Sequence, residues 1–139
     1  MPVPARLSLV TLAVADVERS AAFYERLGWP RSGRSVPDEV AFFVLAPGTV
    51  LSLFAGLAAE SGVTGRPGAS ALALNVDAAE QVADVVEQFR AAGGTVLRPA
   101  AQAEWGGTSA YVADPDGHLW EVAHNPGLPL DERGAPQLS

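Results

Sequence analysis

Apolar and polar positions alternate with two different periods along the chain. From Leu7 to Val14 large apolar residues alternate with smaller ones, which is typical of a strand with one buried face. Asp16 follows as a helix N-cap, and apolar residues then recur at helical spacing. Beyond a Gly/Ser/Pro-rich turn, residues 40–46 and 49–55 have the pattern of two strands joined by a hairpin turn.

The same succession starts again after a Gly/Pro-rich stretch at residues 62–68. Residues 71–76 alternate as a strand, and the spacing of Asp77 and Glu80 predicts a capping box at the start of a second helix. Three strands follow, and the turn Asp114-Pro115-Asp116-Gly117 joins the last two. We predict that the order strand–helix–strand–strand–strand occurs twice, although only two strand-like runs follow the first helix.

Two copies of one unit favour a pair of half-sheets, since solenoids need three or more copies. We predict one α+β domain at residues 1–125, with halves at about 6–58 and 68–124, and a C-terminal tail at 126–139. In each half the larger residues of the first strand should face the helix, and the smaller ones should line a cleft. These cleft-facing residues are Leu9, Thr11, Ala13, Ala71, Ala73 and Asn75.

Composition narrows the classes of function. Apolar residues make up 48% of the chain and charged residues 18%, so the chain can bury a core. The net charge of −7 argues against nucleic acid or an anionic membrane surface as a partner. The chain has no cysteine, which excludes thiolate nucleophiles and Cys-ligated metal sites. No apolar run approaches the length of a membrane span and the start lacks signal-peptide features, so we expect a cytoplasmic protein.

Three segments resemble the vicinal-oxygen-chelate superfamily, which includes glyoxalases, bleomycin-resistance proteins and extradiol dioxygenases. They are Leu12–Ser20 with Phe23-Tyr24 and Leu27-Gly28 behind it, Asn75–Asp77 with Ala92–Gly94, and Asp114–Glu121. Together they span nearly all of the chain up to about Asn125. The resemblance implies paired βαβββ modules that form a curved mixed sheet around a cleft.

The resemblance also implies where a metal would bind in metal-dependent relatives, which use four side chains, two from each copy. Carried over position by position, these fall on Leu9, Ser52, Ala71 and Glu121. Only Glu121 is a good ligand, and metal catalysis needs about three protein ligands with an open position. We therefore predict no metal and no other cofactor, and the metal-dependent chemistries of the superfamily are disfavoured.

Several residues are candidates for ligand contact. Glu121 should project into the cleft to bind a cationic or hydroxyl-bearing ligand or to act as a general base, unless it pairs with a structural partner. Trp105, which precedes two glycines in a loop, is either a lid that stacks on an aromatic ligand or a scaffold residue. The predicted ligand contacts are Leu9, Thr11, Ser52, Phe54, Ala71, Asn75, Trp105, Tyr111 and Glu121, and Glu121 is the candidate catalytic residue.

Three functions stay open on the sequence. The first is a metal-free protein that binds a small molecule, such as an aromatic or cationic one, and sequesters it as the bleomycin-resistance branch does. The second is an enzyme, a lyase or an isomerase, that uses Glu121 without a metal. The third is an accessory protein with a vestigial cleft. Uncovered sheet edges favour a homodimer in each case, and His118 and His124 are expected to face solvent.

Overall fold

A computed structural model describes residues 3–67 and 69–138. Two sheets, with the strand orders β1-β3-β2 and β4-β7-β6-β5, confirm the α+β class. No helix in the described ranges has both the length and the apolar character needed to cross a bilayer. The elements are β1 (Leu9–Ala13), α1 (Val17–Arg26), β2 (Val40–Val44), β3 (Val50–Phe54), α2 (Leu57–Ser61), β4 (Ala71–Asn75), α3 (Ala79–Ala92), β5 (Thr95–Gln102), β6 (Thr108–Ala113) and β7 (Leu119–His124).

Both sheets repeat one arrangement. The first strand of each half runs parallel to the last strand, β1 beside β3 and β4 beside β7, and the hairpin neighbours are antiparallel. The second half has the full strand–helix–strand–strand–strand order. In the first half, the segment after α1 forms only isolated bridges, including one between Arg31 and Phe43, in place of a strand. The halves therefore share a plan but differ by one strand.

The helix starts follow the sequence signals with one correction. The carboxylate of Asp16 caps α1 as predicted, accepting the main-chain N–H of Arg19 at 3.0 Å. For α3 the predicted pairing of Asp77 with Glu80 is wrong by one residue. Ala78 is the N-cap, and its N–H donates to the side chain of Gln81 at 2.8 Å. The returning bond of a capping box comes from the third helical residue, so the shift moves it from Glu80 to Gln81.

One buried core joins the two halves. Residues of α1, α3 and the helix-facing sides of both sheets belong to the same cluster. Tyr24 donates a hydrogen bond to the carboxylate of Asp114 at 2.6 Å and accepts one from the indole of Trp120 at 3.1 Å. Phe23 and Phe89 also meet edge to face across the halves, with centroids 5.8 Å apart. The halves thus pack together through their helix-bearing sides, and Trp120 is part of this core.

The opposite side of each sheet carries the residues that alternate with the core positions. Leu9 is 49% exposed there, and Thr11, Ala71 and Ala73 are also exposed, which places the smaller first-strand residues away from the core as predicted. We call the side of the first sheet the N-face and that of the second sheet the C-face. The N-face consists of Leu9, Thr11, Ala13, Val40, Phe42, Val44, Val50, Ser52 and Phe54, and the C-face of Ala71, Ala73, Asn75, Arg98, Ser109, Tyr111, Leu119, Glu121 and Ala123.

The segment expected as a tail folds back on the domain. Leu130 and Pro136 form an isolated bridge, and the guanidinium of Arg133 donates to the carbonyl of Pro47 at 2.9 Å. Main-chain N–H donors of this turn lower the pKa of Asp131. The C-terminal residues therefore contact the β2–β3 hairpin.

Candidate functional site

Glu121 lies at the centre of the C-face. Its neighbours in β7, Trp120 and Val122, point into the core, so the alternation of the strand turns the Glu121 side chain to the other side. In register, Glu121 lies between Ala73 of β4 and Tyr111 of β6. The Tyr111 hydroxyl donates to Oε2 of Glu121 at 3.3 Å. A half-buried carboxylate beside an aromatic hydroxyl is thus the polar centre of this face.

Arg98 reaches the same face because β5 is irregular. Val96 pairs with Val112 and Arg98 pairs with Tyr111, so the extra residue Leu97 forms a bulge. In an unbroken ladder, Arg98 would share the core-facing side of Val96. The bulge shifts its register and places Arg98 opposite Tyr111 on the C-face.

Two contacts hold the Arg98 side chain there. Its Cζ lies 5.1 Å from the centroid of the Tyr111 ring, which is within the range of a cation–π contact. Its Nη2 donates to Oγ of Ser109 at 2.6 Å. Sequence reasoning missed both Arg98 and Ser109. Pro99 was a usable signal, since a proline within a strand often marks an edge or a bulge.

The equivalent row of the N-face has no ionisable side chain. Ser52, the counterpart of Glu121, lies in register between Thr11 and Phe42. Ser52 is only 3% exposed. The adjacent row consists of Leu9, Val50 and Val44, and Val44 is 62% exposed. The N-face therefore offers apolar contact and hydroxyl groups.

The predicted ligand contacts thus fall into two groups on two sheets. Leu9, Thr11, Ser52 and Phe54 belong to the N-face, whereas Ala71, Asn75, Tyr111 and Glu121 belong to the C-face. Within one chain no strand pairing connects the two groups in the described ranges. Their joint role in ligand contact stays a prediction.

Trp105 lies in the loop between β5 and β6 and is 54% exposed. Its ring lies against Gly107, where a side chain would clash with both the ring and the carbonyl of His124. The loop therefore holds an aromatic surface next to the end of β7, in a position that depends on the missing side chain of Gly107.

Cavities lie between the halves. One of about 590 Å³ is bounded by the residues after α2, the end of β1 and the turn before β7, and includes Thr11, Arg66 and His118. Another of about 210 Å³ separates Val10 and Leu51 from Leu72 and Trp120. Both follow the seam where the first sheet approaches β4.

The residues at the family's metal positions do not fit a metal ion. Besides Glu121, those positions hold Leu9, Ser52 and Ala71, of which only the serine has a donor atom. Within residues 3–67 and 69–138, no three His, Cys, Asp or Glu side chains cluster closely enough to hold an ion.

Both histidines, which were expected to face solvent, are partly exposed and lie against main-chain carbonyls. Nε2 of His118 lies 2.7 Å from the carbonyl oxygen of Ala13, and Nδ1 of His124 lies 3.2 Å from that of Val76. Each ring ties the last strand region to the end of a first strand, which gives both histidines a structural role.

Two side chains of α1 have strongly shifted pKa values. Burial, and then the charge of Asp114, raise the pKa of Tyr24 far above its ordinary value. The hydrogen bonds from Arg31 and from the main chain of Asp38 lower the pKa of Glu18 to about 2. Tyr24 packs α1 into the core, whereas Glu18 binds the loop at Arg31 and Asp38.

The chain belongs to the glyoxalase/bleomycin resistance protein/dioxygenase superfamily, whose sequence model matches residues 6–122. It is similar to a glyoxalase-related enzyme from Fulvimarina pelagi, with 41% identity, a TM-score of 0.88, and coverage of 98% of this chain and 99% of that one. A glyoxalase/bleomycin resistance protein/dioxygenase from Nocardioides is 25% identical, with a TM-score of 0.70 over 100% of this chain and 93% of that one.

A lactoylglutathione lyase from Agrobacterium tumefaciens shares the fold at 23% identity, with a TM-score of 0.68 over 88% of this chain and 95% of that one. No curated protein matches the chain. The family and the fold predicted from the sequence are thus confirmed.

Proposed function

We propose that this protein binds a small organic molecule without a metal, using Glu121 as a polar anchor. The observation that carries the proposal is the row formed by Ala73, Glu121 and Tyr111 on the C-face. A carboxylate that is half-buried and touches a phenol recognises cationic groups and hydroxyl donors, and the aromatic ring favours a planar ligand.

The N-face is the complementary wall in this proposal. It presents the apolar row of Leu9, Val50 and Val44, which is open to solvent in the single chain. Binding sites are usually concave and mostly apolar with few polar groups. A homodimer that brings the N-face of one chain to the C-face of its partner would enclose the ligand and cover exposed apolar residues. Sedimentation of the protein at micromolar concentration tests for this dimer, and the mass of a monomer would reject the arrangement.

Native mass spectrometry of the purified protein, together with elemental analysis, tests the binding function. We expect an organic molecule and no stoichiometric metal. Titration of that molecule into Glu121→Gln should weaken its binding by about tenfold, since a charge-assisted hydrogen bond is lost. Glu80→Gln, which removes the same charge from α3 on the core side of the sheet, is the control. Equal affinity in both variants would reject Glu121 as the anchor.

A second candidate function is a metal-free enzyme, because the contact between Tyr111 and Glu121 can pass a proton. The Fulvimarina pelagi relative is described as a glyoxalase-related enzyme. A base at Glu121 would exchange a proton beside a carbonyl, and uptake of solvent deuterium into dihydroxyacetone would report it. Exchange by the wild type that is lost in Glu121→Gln supports catalysis. If the wild type shows no exchange, the result favours binding without reaction.

A further inference from the structure

Two of the nine arginines are partly buried, and they differ in their partners. Arg31 donates to both carboxylate oxygens of Glu18 at 2.8 Å each. Arg98 makes no salt bridge with any residue of the described ranges. Removing a cation from water without an anionic partner is costly. Arg98 therefore lacks the carboxylate partner that Glu18 provides for Arg31.

The donors of Arg98 are largely unused. A guanidinium has five N–H donors in a planar fork. One Arg98 nitrogen donates to Ser109, and the plane is held near the Tyr111 ring. Such a fork matches the two oxygens of a carboxylate or the oxygens of a phosphate. The bulge at Leu97 places this guanidinium on the C-face, away from the core.

The two charges of the C-face are kept apart by Tyr111. Glu121 contacts the hydroxyl of this tyrosine and Arg98 lies against its ring, yet Arg98 and Glu121 are not paired with each other. A carboxylate and a guanidinium that flank one phenol can bind opposite ends of a single molecule. Direct pairing would have neutralised both.

We propose that Arg98 binds an acidic group of the ligand, so that the site takes an amphoteric small molecule. Such a molecule has a carboxylate or similar anion for Arg98 and an amine or hydroxyl donor for Glu121. This inference rests on the proposed function, because it assigns the second polar contact of the same site. Ser109 is a positioning residue for the guanidinium.

Three probes with the same phenyl group separate the two contacts: 3-phenylpropionate, 2-phenylethylamine and L-phenylalanine. Calorimetric titration of the wild type should give the tightest binding for L-phenylalanine, which carries both charges. Arg98→Gln should weaken 3-phenylpropionate and L-phenylalanine by about tenfold or more and leave 2-phenylethylamine unchanged. Arg90→Gln, which removes the same charge from α3 on the core side of this sheet, should leave all three affinities unchanged.

Two further variants guard against a folding defect. Arg98→Lys keeps the charge but loses the fork, and should weaken 3-phenylpropionate less than Arg98→Gln does. Ser109→Ala should give a smaller loss for the same probe. A change in the ratio of the carboxylate affinity to the amine affinity identifies recognition, because a general loss of structure would lower both.

The outcomes distinguish this inference from the proposed function. Amine binding that depends on Glu121, with no carboxylate binding, overturns the role of Arg98 and leaves the proposed function standing. Binding of 3-phenylpropionate that depends on Arg98, together with a 2-phenylethylamine affinity that is unchanged in Glu121→Gln, supports the role of Arg98 and rejects Glu121 as the anchor. Carboxylate affinity unchanged in Arg98→Gln, or no binding of any probe, overturns the inference.

Discussion

The N-face and the C-face occupy equivalent places in the two copies of one unit, yet they carry different chemistry. The row of Thr11, Ser52 and Phe42 in the first copy corresponds to the row of Ala73, Glu121 and Tyr111 in the second. The first row has hydroxyls and a phenyl ring, and the second has a carboxylate and a phenol. The two copies thus present one face without ionisable side chains and one face with charged side chains.

The segment that follows each helix explains part of this difference. In the first half it forms a bridge at Arg31, whose guanidinium is used by Glu18 of α1. In the second half it forms all of β5, which places Arg98 on the C-face. Arg31 therefore fixes a loop in the first copy, whereas Arg98 makes no salt bridge with the described residues of the second copy.

The buried hydrogen bonds of Tyr24 between the halves should contribute more to the free energy of unfolding than the bond between Tyr111 and Glu121 on the C-face. Tyr24→Phe removes the hydrogen bond to Oδ2 of the buried Asp114 carboxylate and the hydrogen bond from the indole N–H of Trp120. We expect the free energy of unfolding to fall by about 2–3 kcal/mol. The matched variant Tyr111→Phe removes a longer, partly exposed bond and should cost less than about 1 kcal/mol. Urea denaturation measures both, and equal losses would contradict the contrast.

Alkaline pH provides a second measure of the same interior contact. The pKa of Tyr24 is raised in the folded state, so above the ordinary tyrosine pKa of 10.0 the unfolded chain releases a proton that the folded chain keeps. Stability should therefore be unaffected by this group below pH 10.0 and fall above it, by about 1.4 kcal/mol per pH unit. The Tyr24→Phe variant should lose stability less steeply over this range. Parallel curves for the two proteins would show that another group dominates.

The loop residue Trp105 tests whether an aromatic ligand stacks beside the end of β7. Because its ring is 54% exposed, Trp105→Ala should change the free energy of unfolding by less than about 1 kcal/mol. Binding of an aromatic ligand should weaken by about 1 kcal/mol or more if the ring stacks on it. Fluorescence quenching of the wild type and calorimetry of the variant measure the effect on ligand affinity separately from the effect on stability. Unchanged affinity would identify Trp105 as a scaffold residue.

The loop that replaces a strand in the first half should respond to acid. Glu18 has a folded-state pKa of about 2 against an ordinary value of 4.5, because of its hydrogen bonds from Arg31 and Asp38. Its contribution is present above pH 4.5 and should be lost as the pH falls toward 2. In Glu18→Gln, amide hydrogen exchange around Arg31 should be faster than in the wild type at neutral pH. Lowering the pH should then change its protection less than it changes that of the wild type. Exchange equal to that of the wild type at both pH values would argue against this role.

The sequence patterns predicted the elements well and the irregular positions poorly. The alternation in β1, β4 and β7 identified the sides of the strands that face away from the core, because a strand turns successive side chains to opposite sides. Arg98 could not be found in this way, since regular alternation places it on the same side as Val96 and only the bulge reverses it. The helix α2 has only five residues, too few to show a helical period. The folded C-terminal turn also has no periodic pattern, and tertiary contacts such as that of Arg133 with Pro47 hold it on the domain.

The shared core also constrains how the two halves can diverge. A substitution of Phe23 or Phe89 disturbs both copies at once, because their rings pack across the boundary. A substitution at Val44 or Ala73 alters only a surface that contacts solvent in the single chain, where changes cost little folding free energy. Substitutions can therefore change the surface of one sheet without affecting the other, whereas a substitution in the shared core affects both halves.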